Sequence, residues 1–243
     1  MRVSCRSGSG EMDTSLSAAL GIGFVLGLRH ALDADHIAAV SALVSQHRSV
    51  MRSCVLGTFW GAGHTAALLA AAGAVIAFRL TISPAMERAL EGSVACMLML
   101  LGGHVLLKAL GSWRLHEHAH THGGHLHSHL HLHGAAEDTD DHVHFLRLGG
   151  RPFVVGVLHG MAGSAVLMLL VLTTVTPPLA GLLYVLVFGV GATAGMFLLS
   201  GLIGLPFALT ASRSEAARRA IQVLAGAASL LVGCWQMWEL GSL

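Results

Sequence analysis

The sequence predicts an all-α fold, a polytopic membrane helix bundle of about six transmembrane helices. Its 243 residues are 54% hydrophobic and only 11% charged, whereas soluble domains carry about 25% charged residues. Its apolar runs reach about 20 residues, the length that a helix needs to cross the hydrocarbon core of a bilayer. The formal net charge of +1 gives no reason to expect a nucleic-acid partner. Membrane lipid is therefore the expected surrounding.

Six hydrophobic segments are expected to span the membrane. Between the third and fourth segments lies a stretch that holds 11 of the 17 histidines. No packed core could form from that composition, so we predict a disordered loop there. The expected domains are a first three-helix half (1–110), a histidine-rich loop (111–151) and a second three-helix half (152–243). The predicted spans are 15–44, 51–78, 90–110, 152–176, 179–207 and 218–239.

The two halves resemble each other weakly. The segments "GLRH" (27–30) and "GVLH" (156–159) align at an offset of 129 residues, and the same offset brings Phe59 onto Phe188. Since each half has three spans, an odd number, the halves must enter the membrane in opposite orientations. The sequence therefore predicts an inverted repeat, a plan of secondary transporters in which the substrate site lies near the bilayer midplane.

The distribution of lysine and arginine predicts the orientation. Loops on one side carry nine of these residues and the other side carries four, and the richer side is normally cytoplasmic. A multi-pass protein of the cell membrane is expected, with both termini outside and the histidine-rich loop in the cytoplasm. The nine are Arg48, Arg52, Lys108, Arg114, Arg147, Arg151, Arg213, Arg218 and Arg219, and the four are Arg2, Arg6, Arg79 and Arg88.

The first span contains an unusual polar cluster, Arg29, His30, Asp33, Asp35 and His36. Its three charged residues would together cost on the order of 8–10 kcal/mol at the centre of a lipid-facing helix, so they must face protein, water or a ligand. In one continuous helix, His30, Asp33 and His36 share a side and Asp35 projects elsewhere. Imidazole nitrogens and carboxylate oxygens together suit a borderline divalent ion such as nickel or cobalt. The alternative is a buried structural network of aspartate with arginine and histidine.

Three further histidines lie in other spans. His64 and His159 are candidate ligands, and His159 aligns with His30 in the internal repeat. His104 lies nearer the end of its span, which favours a packing role.

Two of these segments resemble a known family. "RHALDADHIAAV" (29–40) resembles the signature RHAxDADHI of the nickel/cobalt transporter family, and "GTFWGAGHT" (57–65) resembles its second motif, LGxxFxxGHS/T. The resemblance implies metal transport and maps His30, Asp33, Asp35, His36 and His64 onto motif residues. Larger members have an additional first helix and a GFDTATE-like motif, where this chain has "GVLHGMAGSA". The chain therefore resembles a shorter, six-span branch, similar to transporters associated with urease and nickel superoxide dismutase.

The histidine-rich loop is a candidate auxiliary metal-binding segment. Flexible H-x-H sequences bind nickel, cobalt, zinc or copper with modest selectivity. The functional interpretation is a cytoplasmic buffer that exchanges metal with the pore, and the alternative is a solvated linker. The candidate residues are His116, His118, His120, His122, His125, His127, His129, His131 and His133.

These features predict a secondary transporter of divalent nickel, with cobalt as an alternative. The RHALDADHI form favours uptake, while efflux and a non-transporting metal store or sensor remain alternatives. The sequence has no Walker A motif, and no predicted span contains H-E-x-x-H, since the histidine pair of the first span has the spacing H-x5-H without a glutamate; ATP hydrolysis and an enzyme are therefore not expected. No cofactor is expected apart from the transported ion. A cytoplasmic nickel chaperone is a candidate partner, and the oligomeric state is left open.

Overall fold

The computed structural model describes residues 8–79, 83–111, 114–122, 125–133, 145–162, 178–211 and 214–242. In chain order, the described part has helices α1 Gly8–His30, α2 Ala34–Val44, α3 Val50–Phe78 and α4 Pro84–Gly111, strands β1 Arg114–His122 and β2 His125–His133, and helices α5 Phe145–Gly160, α6 Pro178–Ala211 and α7 Glu215–Ser242.

The helices confirm a membrane bundle. Among the described residues, α3, α4, α6 and α7 are each long and apolar enough to cross a membrane, and α2 and the second part of α1 are shorter apolar helices. Helix α5 begins the predicted fourth span, whose residues 163–176 lie outside the described part of the chain. Helix α5 begins at Phe145, before the first residue of the predicted fourth span (152–176). The division of the chain into domains stays a prediction.

The first span is broken inside its polar cluster. Helix α1 ends at His30 and α2 begins at Ala34, with Asp33 in extended conformation (φ −64°, ψ 149°) at the N-cap. The amides of Leu32 and Asp33 donate to the carbonyl oxygens three residues earlier, at 2.9 and 3.1 Å, which tightens the last turn of α1. The expectation that His30, Asp33 and His36 share one side of a continuous helix is therefore wrong.

The packing of the two halves follows an inverted repeat. Helix α1 runs parallel to α6 and α5 runs parallel to α3, while α3 and α6 are antiparallel. The backbone of Gly27 lies against the carbonyl oxygen of Phe188, and that of Gly156 lies against the carbonyl oxygen of Trp60. A Cβ atom at either glycine would collide with backbone. These two glycines are equivalent at the offset of 129, so each half contacts the other in the same way.

Helices α4 and α7 form the remaining antiparallel pair. Gly102 and Gly226 bring the two backbones together, and the Ser229 hydroxyl donates to the carbonyl oxygen of Leu98 at 3.0 Å. Helix α2 packs against this pair, where the side-chain amide of Gln222 donates to the carbonyl oxygen of Ser45 at 2.8 Å. The fold thus places the broken first span between the α3–α6 pair and the α4–α7 pair.

The histidine-rich segment lies between the two halves, as predicted, and two strands are described in it. Strands β1 and β2 pair antiparallel, and the register places histidine opposite histidine at His116 and His131, His118 and His129, His120 and His127, and His122 and His125. Histidine recurs at every second position along both strands, and period two is the period of a β-strand. The described pairing involves the backbone and needs no hydrophobic core.

Candidate metal site

The break in the first span brings three histidines together. His30 ends α1, His36 lies in the first turns of α2, and His64 comes from α3. Their ring centroids are 4.4 Å apart for His30 and His36, 5.3 Å for His30 and His64, and 5.4 Å for His36 and His64. One ring nitrogen from each lies within 4.8 Å of the other two. A metal–nitrogen bond is about 2.0–2.1 Å long, so a small inward movement would let all three contact one ion.

A second group shares His36 with the first. Asp35, His36 and His159 also offer ligand atoms within 4.8 Å of one another. Asp35 Oδ1 lies 3.0 Å from His36 Nδ1, and Asp35 Oδ2 lies 3.1 Å from His159 Nε2. The expectation that Asp35 projects away from the histidines is therefore wrong. The extended backbone at Asp33 resets the helical phase, so Asp35 enters the site from the first turn of α2.

Several ring nitrogens of this site have no hydrogen-bond partner. His36, His64 and His159 are only 1%, 0% and 3% exposed. Among the described residues, His36 Nε2, His159 Nδ1 and both ring nitrogens of His64 are buried without a partner. Most buried polar side-chain atoms in proteins have one, and each exception calls for an explanation such as an ion. The unpartnered nitrogens fit a site that is built to receive a ligand.

Two other polar residues of the sequence analysis lie outside these groups. Asp33 is 55% exposed and contacts His30, with Oδ2 at 2.8 Å from Nδ1. His104 is exposed on α4. Neither belongs to a group of potential ligands found among the described residues. The assignment of His30, Asp33, Asp35, His36, His64 and His159 as metal-binding residues stays a prediction.

A cavity of about 480 Å³ leads away from the site. Its wall includes Asp35, His36 and His159, and at its other end Glu91 of α4 and Glu239 of α7. The sequence analysis missed both glutamates. The available signal was weak, since each is a single acidic residue near the end of an apolar span.

Aromatic rings close the site on the side of α3 and α6. The ring of Phe188 lies 5.4 Å from that of His30, and the ring of Trp60 lies 5.5 Å from that of His159. The two contacts correspond to each other in the inverted repeat, to within one residue. His159 was predicted from this repeat alone, and the structure brings it to the His36 ring at 4.1 Å.

Comparison with known proteins identifies the family. Residues 16–213 match the NicO family, described as "High-affinity nickel-transport protein". The chain belongs to this family. It is also 37% identical over 230 residues to "Urease accessory protein UreH" of Bacillus sp. (strain TB-90), covering 93% of each chain. No solved structure matches the chain. The resemblance drawn from the two motifs is therefore confirmed, and nickel transport is the function of this multi-pass membrane protein.

The donor set suits the substrate of a nickel-transport protein. Imidazole nitrogens combined with a carboxylate favour borderline divalent ions over magnesium or calcium, which prefer all-oxygen sites. A purely structural network explains the hydrogen bonds of Asp35 but leaves the two nitrogens of His64 without a role. A bound cation would give these nitrogens a partner.

Proposed function

We propose that this chain is a secondary transporter that takes up Ni²⁺, with Co²⁺ as an alternative substrate, through the site at the break of the first span. The observation that carries the proposal is the set of buried, unpartnered ring nitrogens on His36, His64 and His159, whose ring centroids lie 4.1 to 6.1 Å apart. His30 completes the histidine group, and Asp33 and Asp35 supply negative charge. Because these residues come from both halves of the inverted repeat, relative movement of the halves would expose the ion to each side in turn.

Asp35 holds two histidines in the form that can bind a metal. An ionised carboxylate only accepts hydrogen bonds, so His36 donates to it through Nδ1 and His159 through Nε2. The proton of each neutral ring is then on the nitrogen that faces Asp35. The lone pair is on the other nitrogen, His36 Nε2 or His159 Nδ1, and these are the atoms without partners. Such carboxylate–histidine pairs orient metal ligands in many proteins. Asp33 orients His30 in the same way, by accepting a hydrogen bond from His30 Nδ1 at Oδ2.

The electrostatic setting favours a divalent cation. Asp35 lies in the first turn of α2, where the positive end of the helix dipole stabilises a carboxylate. The ionised side chains of the cluster, Arg29, Asp33 and Asp35, sum to one negative charge. A divalent cation would therefore leave the cluster with a net charge of only plus one.

Nickel flux into proteoliposomes tests the proposed function. The purified protein should give saturable uptake of radioactive Ni²⁺ without ATP, with Co²⁺ a stronger competitor than Mg²⁺. Vesicles loaded with nickel and diluted into nickel-free buffer separate uptake from efflux when the orientation of the protein is known. An absence of flux in either direction, together with tight nickel binding, would instead support a store or sensor.

The membrane orientation is part of the proposal. The excess of lysine and arginine places the histidine-rich loop in the cytoplasm and both termini outside. A reporter inserted at Gly134 should therefore be active only in the cytoplasm, and one fused after Leu243 only outside. The same experiment on a protein in which Arg48 and Arg52 are replaced should weaken this preference. A Gly134 reporter that is accessible only from outside would contradict the orientation and the cytoplasmic role given to the histidine-rich loop.

The histidine hairpin is proposed as a cytoplasmic buffer that receives nickel from the pore and passes it to a cytoplasmic nickel chaperone. What supports this role is the density of histidine in the segment, with histidine opposite histidine at four pairs of positions in the backbone register. Replacing residues 116–144 with a Gly/Ser linker of equal length should leave substantial nickel flux and reduce the amount of nickel retained per protein. A complete loss of flux in a variant that still inserts would contradict a buffering role.

A further inference from the structure

We propose that Glu91 and Glu239 form a second cation site at the mouth of the cavity, which collects Ni²⁺ before it reaches the histidines. This inference rests on the proposed function and adds to it a separate site on two helices, α4 and α7, that supply none of the histidines. The occupant is a divalent cation held by carboxylate oxygens.

The two glutamates come together because α4 and α7 are antiparallel. The beginning of α4 lies beside the end of α7, where a Cβ atom at Gly92 would be 3.9 Å from Leu240 Cδ1. Glu91 and Glu239 line the same cavity, together with Gln236 between them and the site. The buried Gln236 Oε1 has no hydrogen-bond partner among the described residues, so a further oxygen is available beside the carboxylates.

A second observation connects this mouth to a ligand. The same cavity is lined by His36 and His159, which are 1% and 3% exposed and have an unpartnered nitrogen each. One continuous space therefore joins exposed carboxylates to buried imidazoles. A cation captured at the mouth therefore shares a cavity with the inner site.

The charge of the cavity wall is of one sign. Its described lining includes the carboxylates of Asp33, Asp35, Glu91 and Glu239, and neither lysine nor arginine. A cleft lined by one sign of charge raises the local concentration of the opposite ion and the rate at which it arrives. The wall therefore attracts cations along its whole length.

The cavity lining reaches the end of the bundle where α4 begins and α7 ends, and Glu239 is exposed there. At the opposite end, Gln222 binds the backbone of Ser45 at 2.8 Å, and the Lys108 ammonium donates to Gln46 at 2.7 Å. In the proposed orientation the end with Glu239 faces outward, since α7 ends there. The glutamate site then binds nickel ions that arrive from outside, before they reach the histidines.

The test is the concentration dependence of nickel uptake in the Glu91→Gln, Glu239→Gln and doubly substituted proteins. The double variant should raise the apparent KM for Ni²⁺ by about tenfold and leave the maximal rate unchanged. The glutamate charges increase the rate at which nickel ions reach the cavity and do not affect transport from the inner site. The difference should shrink at high salt, where the charges are screened. Glu91→Asp and Glu239→Asp, which keep the charge, should stay close to the unaltered protein.

Glu87→Gln is the matched control. Glu87 is one turn before Glu91 on α4 but does not line the cavity, so its loss should leave the KM unchanged. An unchanged KM in the double variant, or an equal rise in Glu87→Gln, would overturn the proposal. If the unaltered protein transports nickel and His36→Ala does not, either result refutes only the mouth site. If the unaltered protein shows no flux, the proposed function itself fails.

Discussion

Replacing His36 with alanine should reduce nickel transport to the background of protein-free vesicles. His36 is the one residue shared by both groups of potential ligands, and it is only 1% exposed. Its ring lies 4.4 Å from that of His30 and 4.1 Å from that of His159. Removing it leaves neither group with three donors, so an ion that enters the cavity finds no complete site.

His104→Ala is the control for this substitution. His104 is also a histidine of a membrane-spanning helix, but it is exposed on α4 and belongs to neither group. Its replacement should leave nickel flux unchanged. Both variants are compared at equal amounts of membrane-inserted protein, measured by detergent-soluble yield and a sharp elution profile. Normal flux through inserted His36→Ala protein would disprove the site.

Asp35→Asn should lower the apparent nickel affinity more than Asp33→Asn does. An asparagine at position 35 presents an NH2 donor in place of one carboxylate oxygen, so either His36 or His159 faces a donor and must change its proton position. Loss of such an orienting carboxylate typically costs 10–100-fold in metal affinity. Asp33 contacts only His30 and is 55% exposed, against 24% for Asp35, so water can partly replace it. Equilibrium nickel binding to detergent-solubilised protein measures both effects.

Comparing the affinity losses of Asp35→Asn and Asp33→Asn distinguishes a broken first span from a continuous helix. If the first span were unbroken, Asp33 would lie on the side of His30 and His36, and Asp35 would not. A larger loss of affinity in Asp33→Asn than in Asp35→Asn would therefore contradict the break between α1 and α2. Asp35→Glu provides a second check, because it keeps two acceptor oxygens and should retain more affinity than Asp35→Asn.

Much of the site was predictable from the sequence because its residues are costly in lipid. His30, Asp35, His36 and His64 stand out in apolar spans, and the internal repeat pointed to His159. The break in the first span was not predicted, since helical spacing was applied across two aspartates. Aspartate competes with the helix for hydrogen bonds and favours N-cap positions, so Asp33 was an available signal.

The pairing of β1 with β2 and the glutamates at the mouth of the cavity were not predicted from the sequence. The histidine hairpin follows from strand periodicity and a Gly-Gly pair at 123–124, a recognised hairpin signal, but the composition of the segment hid it. The mouth of the cavity depends on Glu91 and Glu239, which are far apart in the chain. Only the antiparallel packing of α4 on α7 brings them together, and no local sequence pattern predicts that packing.

The size of the cavity has a consequence for dehydration of the ion. Six water molecules occupy about 180 Å³ at about 30 Å³ each, well below the cavity volume of about 480 Å³. The cavity is therefore large enough to hold a divalent ion with its complete hydration shell, which the ion would lose at the histidines. Magnesium gives up its waters reluctantly, whereas nickel exchanges water for imidazole with a gain in affinity. Abundant hard cations can thus share the cavity with nickel and still be rejected at its inner end.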